Sequence, residues 1–344
     1  MTERLRVVIA VPLEQEFVAE LERDERLEVV HRPDLLNPPS QDWMAGPKTR
    51  DAAEQAEYEA YLDDADVLYG IPDESGRALA RTVAANPRLR WVHTMAAGGG
   101  QQVKSAHLDS EALSRIIFTT SAGVHAEPLA EFAVFGVLAG LKRLPWMQGL
   151  QRERQWGPRE AMRQLTESTV VVVGLGAIGR TVAHKLTGLG CRVVGVHRRD
   201  VDADVERIVT VDELAVVASE ADAIVLALPK TEATEKMLSA EVLASVKPGV
   251  TVVNVGRGST VDEPALIEAL GDGRVDLAVL DVTAVEPLPA DSPLWDLPNV
   301  ILSPHTAAIS PHEPRRIFEL FSRNLGRFLD GEQMQNVVNT REFY

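Results

Sequence analysis

The sequence of 344 residues contains a single cysteine, Cys191, so a disulfide within the chain is excluded. Cys191 stands at the start of an apolar predicted strand, which favours a buried, inert thiol over a nucleophile. A chain that has no internal disulfide suits a reducing compartment, and we predict a cytoplasmic protein.

Excess positive charge and long hydrophobic runs are also missing. The formal net charge of -16 argues against nucleic acid or an anionic membrane as a partner, although local arginines still allow an anionic substrate. The most lipid-like run, Phe132 to Leu141, is too short to span a bilayer and lies between Glu131 and Lys142. We interpret it as a buried helix, and we expect neither a membrane span nor a secretory signal.

The length predicts about two domains, and in each half predicted strands alternate with helices. That alternation predicts parallel sheets with helices on both faces. A long helix, 128–144, precedes a segment, 146–167, that reads as a polar loop. Prolines interrupt the first half at 32–50, where Trp43 and Met44 either tuck onto their own domain or form a lid.

The stretch VVVVGLGAIGR, residues 170–180, has the pattern of a buried strand, a tight turn and the start of a helix. Three glycines follow G-x-G-x-x-G spacing: Gly174, Gly176 and Gly179. They would allow a sharp turn, leave room for a pyrophosphate, and let helix and strand pack closely. N–H groups at the helix start, near Ala177 and Ile178, would bind the phosphates. The pattern predicts a dinucleotide site; the alternative is a glycine-rich turn that binds nothing.

Three later predicted strands each end close to a residue whose side chain can take part in catalysis or substrate binding. These residues are Arg257, Glu286 and His305. Ligands of such sheets bind at the carboxyl ends of the strands. A guanidinium can hold the carboxylate of a 2-keto acid, an imidazolium can protonate its carbonyl oxygen, and a carboxylate can orient the imidazole. Taken singly, Arg257 could be a surface ion-pair partner, Glu286 a turn cap, and His305 an ordinary loop histidine.

The order of these motifs resembles the D-isomer-specific 2-hydroxyacid dehydrogenase family from about Leu5 to Asn339, most densely after Phe118. The matching stretches are GLGAIG, LPKTEATEKML, KPGVTVVNVGRGSTVDEPALIEAL, LAVLDVTAVEPLP and PNVILSPHTA. The resemblance implies that Arg257 binds substrate, His305 is the acid/base and Glu286 is its partner.

The resemblance also implies an α/β fold with two doubly wound domains. A Rossmann cofactor domain, 123–309, would be inserted into a flavodoxin-like substrate domain formed by 1–122 and 310–344. Further cofactor contacts are implied at Leu228, Pro229, Val255, Gly256 and Asp281. The family expectation is a homodimer formed through the helix after Pro128.

Asp281 would contact the nicotinamide carboxamide, or else cap a strand end. His305 would also lie against the cofactor. Backbone amides of Ala97, Gly98 and Gly99 would grip the substrate carboxylate. This loop reads AAGGG where the family usually has one glycine, a small apolar residue and aspartate, so a more flexible loop is predicted.

The acidic residue that holds the ribose in an NAD site is missing at the end of the second Rossmann strand. His197 stands in its place, followed by Arg198 and Arg199. Because arginines can pair with a 2′-phosphate, the sequence favours NADP(H), while NAD(H) stays possible if both arginines are merely solvated.

The function predicted is reversible reduction of a small 2-keto acid, such as glyoxylate, hydroxypyruvate or another pyruvate-like acid, with no metal. The alternatives are a dinucleotide-binding sensor or corepressor without turnover, or a phosphite-type oxidoreductase on the same scaffold.

Overall fold

A computed structural model describes residues 4–37 and 48–343 of the chain. Their contacts form two compact units, one from Met1–Val124 with Ser310–Tyr344 and one from His125–Ile309. No helix in the described ranges is long and apolar enough to cross a membrane. The part of the 32–50 excursion that holds Trp43 and Met44 lies outside the described residues.

The first unit contains a five-stranded sheet in which every pair of neighbours is parallel. Its strands are β1 (Leu5–Ile9), β2 (Leu27–Val30), β3 (Val67–Tyr69), β4 (Trp91–Thr94) and β5 (Ile117–Thr120). The order β2-β1-β3-β4-β5 is that of flavodoxin-like sheets. Between the strands run α1 (Gln15–Leu21), α2 (Ala52–Leu62), α3 (Gly76–Ala85), α4 (Gly100–Ser105) and α5 (Ser110–Arg115).

The second unit begins with α6 (Ala126–Leu141) and α7 (Leu144–Glu153) and has a seven-stranded parallel sheet. Its strands are β6 (Thr169–Val173), β7 (Arg192–Val196), β8 (Arg207–Val209), β9 (Ala223–Leu226), β10 (Val250–Asn254), β11 (Val275–Leu280) and β12 (Val300–Leu302). The remaining helices of this unit are α8 (Ala177–Gly188), α9 (Leu214–Ala218), α10 (Ala240–Ser245) and α11 (Glu263–Gly271). The last helix, α12 (Glu313–Leu329), belongs to the first unit.

The strand order of the second unit, β12-β11-β10-β9-β6-β7-β8, is a Rossmann order with one added edge strand. The order reverses between β6 and β9, both of which are fully buried except at the first residue of β6. Val171 and Val173 pack into one apolar cluster, while Val170 and Val172 pack into another. Because side chains alternate along a strand, the unbroken run of valines reflects burial of both sheet faces.

The predicted α/β class with two doubly wound sheets is therefore confirmed, but several local predictions were wrong. The supposed polar loop 146–167 contains most of α7, whose Pro145 lies in the first turn, where a missing N–H costs nothing. The three-residue edge strand β8 was not predicted because it is too short for a clear pattern. The helix predicted from Pro128 begins at Ala126, and its Phe135 is 44% exposed rather than buried.

Candidate active site

The glycine motif forms the turn that its spacing predicts. Gly174 has a φ of 96°, in the left-handed region that favours glycine. A Cβ on Gly179 would lie 1.8 Å from the carbonyl oxygen of Gly174, so α8 can approach β6 only because that position has no side chain. A Cβ on Gly176 would meet nothing within 4 Å. This open space beside the start of α8 leaves room for a pyrophosphate, and its contact with the Ala177 and Ile178 N–H groups stays a prediction.

The contact of Gly179 leads to a stability prediction. Gly179→Ala is expected to lower the free energy of unfolding by about 1–3 kcal/mol, the usual cost of overpacking, because the clash is with backbone that cannot rotate away. Gly188→Ala at the other end of α8 is the matched control, since nothing lies within 4 Å of its Cβ position. The alanine there should be neutral or stabilising. Equal thermal midpoints for the two variants would contradict the packing argument.

Close backbone approaches also join the loops at the carboxyl ends of the neighbouring strands. A Cβ on Gly256, after β10, would lie 2.6 Å from the Leu228 carbonyl oxygen, after β9. A Cβ on Gly258 would lie 1.9 Å from the Thr283 carbonyl oxygen, after β11. The glycines on either side of Arg257 thus let its loop touch both adjacent loops. Leu228, Pro229, Val255 and Gly256, predicted to contact the cofactor, lie in these segments.

His305 and Glu286 form a direct pair. His305 Nδ1 lies 2.7 Å from Glu286 Oε2, and Glu286 Oε1 accepts a hydrogen bond of 3.1 Å from the Thr283 backbone N–H. The Glu286 carboxylate is thereby fixed at both oxygens, and no hydrogen bond engages the His305 Nε2 atom within residues 4–37 and 48–343. The His305 side chain is 46% exposed and can be reached. Its φ of 54° is unfavourable for a residue with a Cβ, costing about 1–3 kcal/mol, and such strain is common at functional sites.

Asp281 organises the segment that carries His305. Its buried Oδ1 accepts hydrogen bonds from Ser303 Oγ at 2.7 Å, Thr306 N at 3.0 Å and Ala307 N at 2.9 Å. The backbone N–H of His305 also donates to the Asp281 carbonyl oxygen at 3.0 Å. Asp281 therefore has a structural task at the end of β11. Its contact with the nicotinamide stays a prediction.

Arg257 follows β10, the strand next to β11. Its carbonyl oxygen accepts hydrogen bonds from Asn254 Nδ2 at 3.1 Å and Thr260 Oγ1 at 2.6 Å, which fixes the backbone at this point. The guanidinium is exposed and bonds to the Gly256 carbonyl oxygen at 2.7 Å. No carboxylate pairs with it among the described residues, so the surface ion pair considered as an alternative is not formed there.

His197 is tied to the glycine-rich turn, a contact that the sequence did not predict. Its Nδ1 accepts a hydrogen bond of 3.3 Å from the Leu175 backbone N–H, which leaves the proton of a neutral ring on Nε2. Burial, and then the positive charges of Arg198, Arg180 and Arg199, lower the pKa of His197. Three guanidiniums thus create a positive potential where the acidic residue of an NAD site would stand. Arg180, directly after the third glycine, was missed by the sequence reasoning.

The predicted substrate loop lies in the first unit. Ala97, Gly98 and Gly99 form a turn between β4 and α4, and Gly99 is buried. Cys191 is buried, and burial raises the pKa of its thiol to about 11, in keeping with an inert residue.

Residues 134–307 match the profile of the D-isomer specific 2-hydroxyacid dehydrogenase NAD binding domain. A glyoxylate reductase of Korarchaeum cryptofilum is 34% identical over 270 residues, covering 76% of this chain and 79% of the relative. A D-3-phosphoglycerate dehydrogenase of Mycobacterium tuberculosis is 32% identical over 266 residues, covering 76% of this chain and 49% of the relative.

Among solved structures, a D-isomer specific 2-hydroxyacid dehydrogenase of Xanthobacter autotrophicus, in complex with NADPH and MES, is similar along almost its whole length. It has a TM-score of 0.77 and 28% sequence identity, with 99% of this chain and 100% of that chain covered. With the family profile and the curated relatives, this similarity supports the resemblance drawn from the motifs. The chain belongs to the D-isomer specific 2-hydroxyacid dehydrogenase family.

Proposed function

We propose that this protein is an NADPH-preferring reductase of small 2-keto acids, working on substrates of the glyoxylate, hydroxypyruvate or pyruvate type. As a member of the family, the chain is an NAD(P)-dependent oxidoreductase. The substrate class, the residue roles and the cofactor preference are the proposed part. The observation that carries the proposal is the His305–Glu286 pair at 2.7 Å, in which Glu286 belongs to the loop next to the one that presents Arg257.

In the proposed reaction, the Arg257 guanidinium binds the substrate carboxylate and polarises the neighbouring carbonyl group. His305, protonated, donates its Nε2 proton to the carbonyl oxygen. Glu286 accepts from the Nδ1–H of His305, which stabilises the imidazolium and fixes its orientation. When bound, a reduced nicotinamide would supply the hydride to C2. In the oxidative direction His305 takes the hydroxyl proton.

We assign the unit His125–Ile309 to cofactor binding and the other unit to substrate binding. The Gly176 space and the first turn of α8 would hold the pyrophosphate. Ala97, Gly98 and Gly99 would present backbone N–H groups to the substrate carboxylate. A further proposal is a homodimer through α6, because Phe135 is 44% exposed and Leu189 on the neighbouring segment is 47% exposed.

The preference for NADPH can be tested by removing two charges. Arg198→Ala combined with Arg199→Ala is expected to raise the KM for NADPH about 10- to 100-fold, the usual value of hydrogen bonds to a charged group. The KM for NADH should stay within about twofold of the wild-type value, because NADH lacks the 2′-phosphate that the two arginines are proposed to bind.

Arg192→Ala is the matched control for that test, since Arg192 begins β7 while Arg198 and Arg199 follow its end. Arg192 pairs with Glu206 and should affect neither cofactor. Equal increases in KM for NADPH and NADH in the double variant would show that the two arginines are not reading a phosphate.

The catalytic proposal is tested by following the absorbance of reduced nicotinamide while glyoxylate, hydroxypyruvate and pyruvate are supplied in turn. Oxidation of NADPH with at least one of these acids is expected. A protein that binds NADPH tightly and never oxidises it would be a sensor or corepressor instead. Oxidation of phosphite with NADP⁺, in the absence of turnover with keto acids, would favour the phosphite-type alternative.

A further inference from the structure

Four polar residues lie together at the carboxyl ends of β4 and β5: His93, Thr94, Thr119 and Ser121. All four have 0% exposure, and the proposed reaction uses none of them. A buried polar group without a partner costs free energy, so such a cluster persists only if its donors and acceptors are matched.

The hydrogen bonds of this cluster run in one direction. Trp91 Nε1, which can only donate, lies 2.8 Å from Thr119 Oγ1, and Thr119 Oγ1 lies 2.8 Å from His93 Nδ1. Ser121 Oγ lies 3.2 Å from His93 Nε2 and donates to the Thr94 carbonyl oxygen at 3.0 Å. Since the single Ser121 hydrogen goes to that carbonyl, Nε2 must donate to Ser121. Nδ1 then accepts from Thr119, and every bond is satisfied by a neutral ring.

A charged imidazole does not fit this arrangement. If His93 Nδ1 carried a proton, the Thr119 hydroxyl would accept hydrogen bonds from both Nδ1–H and the Trp91 indole N–H. The hydrogen of the Thr119 hydroxyl would then have no acceptor in either ring. The ring is also surrounded by Tyr69, Trp91 and Phe321, whose centroids lie within 6.3 Å of it. Burial accordingly lowers the pKa of His93 to about 3. His93 is therefore a fixed neutral link and takes no part in proton transfer.

The chain of bonds ends at the Thr94 carbonyl oxygen, and two of its residues, Thr94 and Ser121, also bond to the loop 96–100. Thr94 Oγ1 donates to the Ala96 carbonyl oxygen at 3.2 Å, and the Gly99 and Ser121 backbone N–H groups donate to the same oxygen at 3.2 and 3.4 Å. A Cβ on Gly99 would lie 1.7 Å from Thr94 Oγ1. The glycine at 99 therefore allows the loop to close down on the Thr94 hydroxyl. The hydrogen bonds to the Ala96 carbonyl oxygen therefore restrain a loop whose extra glycines would otherwise make it more flexible.

We infer that His93, with Thr119 and Ser121, is a positioning residue that holds the loop 96–100 in the form that binds the substrate carboxylate. The inference rests on the proposed function for the role of that loop. It adds a cause for the loop's order: a directional hydrogen-bond chain begins at the Trp91 indole and ends at the Thr94 carbonyl oxygen. This chain fixes Thr94 and Ser121, whose hydroxyl and backbone N–H groups respectively donate to the Ala96 carbonyl oxygen of the loop.

The test is Thr119→Val, which removes the central hydroxyl while keeping the shape of the side chain. The KM for the 2-keto acid is expected to rise about tenfold, the cost of weakening bonds to a charged group. The kcat should change less than about threefold and the Kd for NADPH should not change, because cofactor binding is assigned to the other unit. Backbone amides of 95–103 should also exchange hydrogen faster, a readout that does not depend on turnover.

Thr82→Val is the matched control, because Thr82 is buried in the same unit and its Oγ1 has no hydrogen-bond partner among the described residues. It should change neither KM nor exchange. Thr119→Ser, which restores the hydroxyl, should return both to wild-type values. If Thr119→Val fails to fold, Ser121→Ala breaks the chain at its other end. Its control is Ser322→Ala, because the Ser322 hydroxyl is also buried and has no partner within residues 4–37 and 48–343.

Unchanged exchange in both broken-chain variants would overturn the inference, and so would faster exchange with an unchanged KM. Parallel increases in KM and in the Kd for NADPH would also overturn it, since they would indicate general loosening of the protein. Failure of the proposed function looks different, because wild-type protein would then turn over no 2-keto acid whatever the exchange rates.

Discussion

His305→Gln is expected to lower kcat by about 100-fold or more, the usual contribution of general acid catalysis. Glutamine keeps a polar side chain of similar reach but cannot donate a proton from a charged ring. The Kd for NADPH should stay near the wild-type value, because the phosphates and ribose are assigned to the α8 turn and to the arginines after β7. Steady-state kinetics with the best keto acid, together with a cofactor titration, measures both quantities.

The chain contains a matched control for this substitution. His184 Nδ1 lies 2.6 Å from Asp204 Oδ2, so it is also a histidine paired with a carboxylate, but it lies on the exposed face of α8. His184→Gln should leave kcat unchanged. If His305→Gln has the kcat of the wild type, the proton donor has been assigned to the wrong residue.

Arg257→Ala is expected to lower kcat/KM by roughly 10³-fold, with a higher KM and a lower kcat. Both constants should change because the guanidinium binds the carboxylate in the ground state and stabilises charge on the carbonyl oxygen in the transition state. The fixed Arg257 backbone and the absence of a carboxylate partner in the described part of the chain support this role.

Arg257→Lys separates charge from geometry. Lysine keeps the positive charge but cannot form the two parallel hydrogen bonds of a guanidinium. The kcat/KM of Arg257→Lys is therefore expected to lie between those of Arg257→Ala and the wild type. Arg274→Ala is the control, because Arg274 forms ion pairs with Glu268 and Asp272 and directly precedes β11, at the end of that strand opposite its carboxyl end. A normal kcat with only a raised KM in Arg257→Ala would limit this residue to substrate binding.

Much of the fold was predictable because its signals are local. The valines before Gly174 are buried on both faces, and the glycines follow at the spacing that a tight turn and a close helix require. The residues after the strands were predictable as well, because parallel strands bring their carboxyl ends to one edge. The pairing of His305 with Glu286 follows from that rule, since their loops leave adjacent strands.

What sequence reasoning missed depends on contacts between residues that are distant in the chain. The hydrogen bond between His197 and the Leu175 N–H joins the loops that follow β6 and β7, so no local sequence pattern predicts it. The chain from Trp91 to Ser121 uses common residue types whose meaning appears only when β4 and β5 are paired. The helix α7 was missed because its polar end resembles a loop in composition.

The central claim is hydride transfer between a nicotinamide and C2 of a 2-keto acid, with His305 supplying the proton. Its most direct test supplies NADPH in which both hydrogens on the hydride-donating carbon are replaced by deuterium, and analyses the product formed from hydroxypyruvate or pyruvate. The expected product is a D-2-hydroxy acid with one deuterium at C2 for each NADPH oxidised, and this product should be lost in His305→Gln. Bound NADPH that is never oxidised, or a product without deuterium at C2, would contradict it.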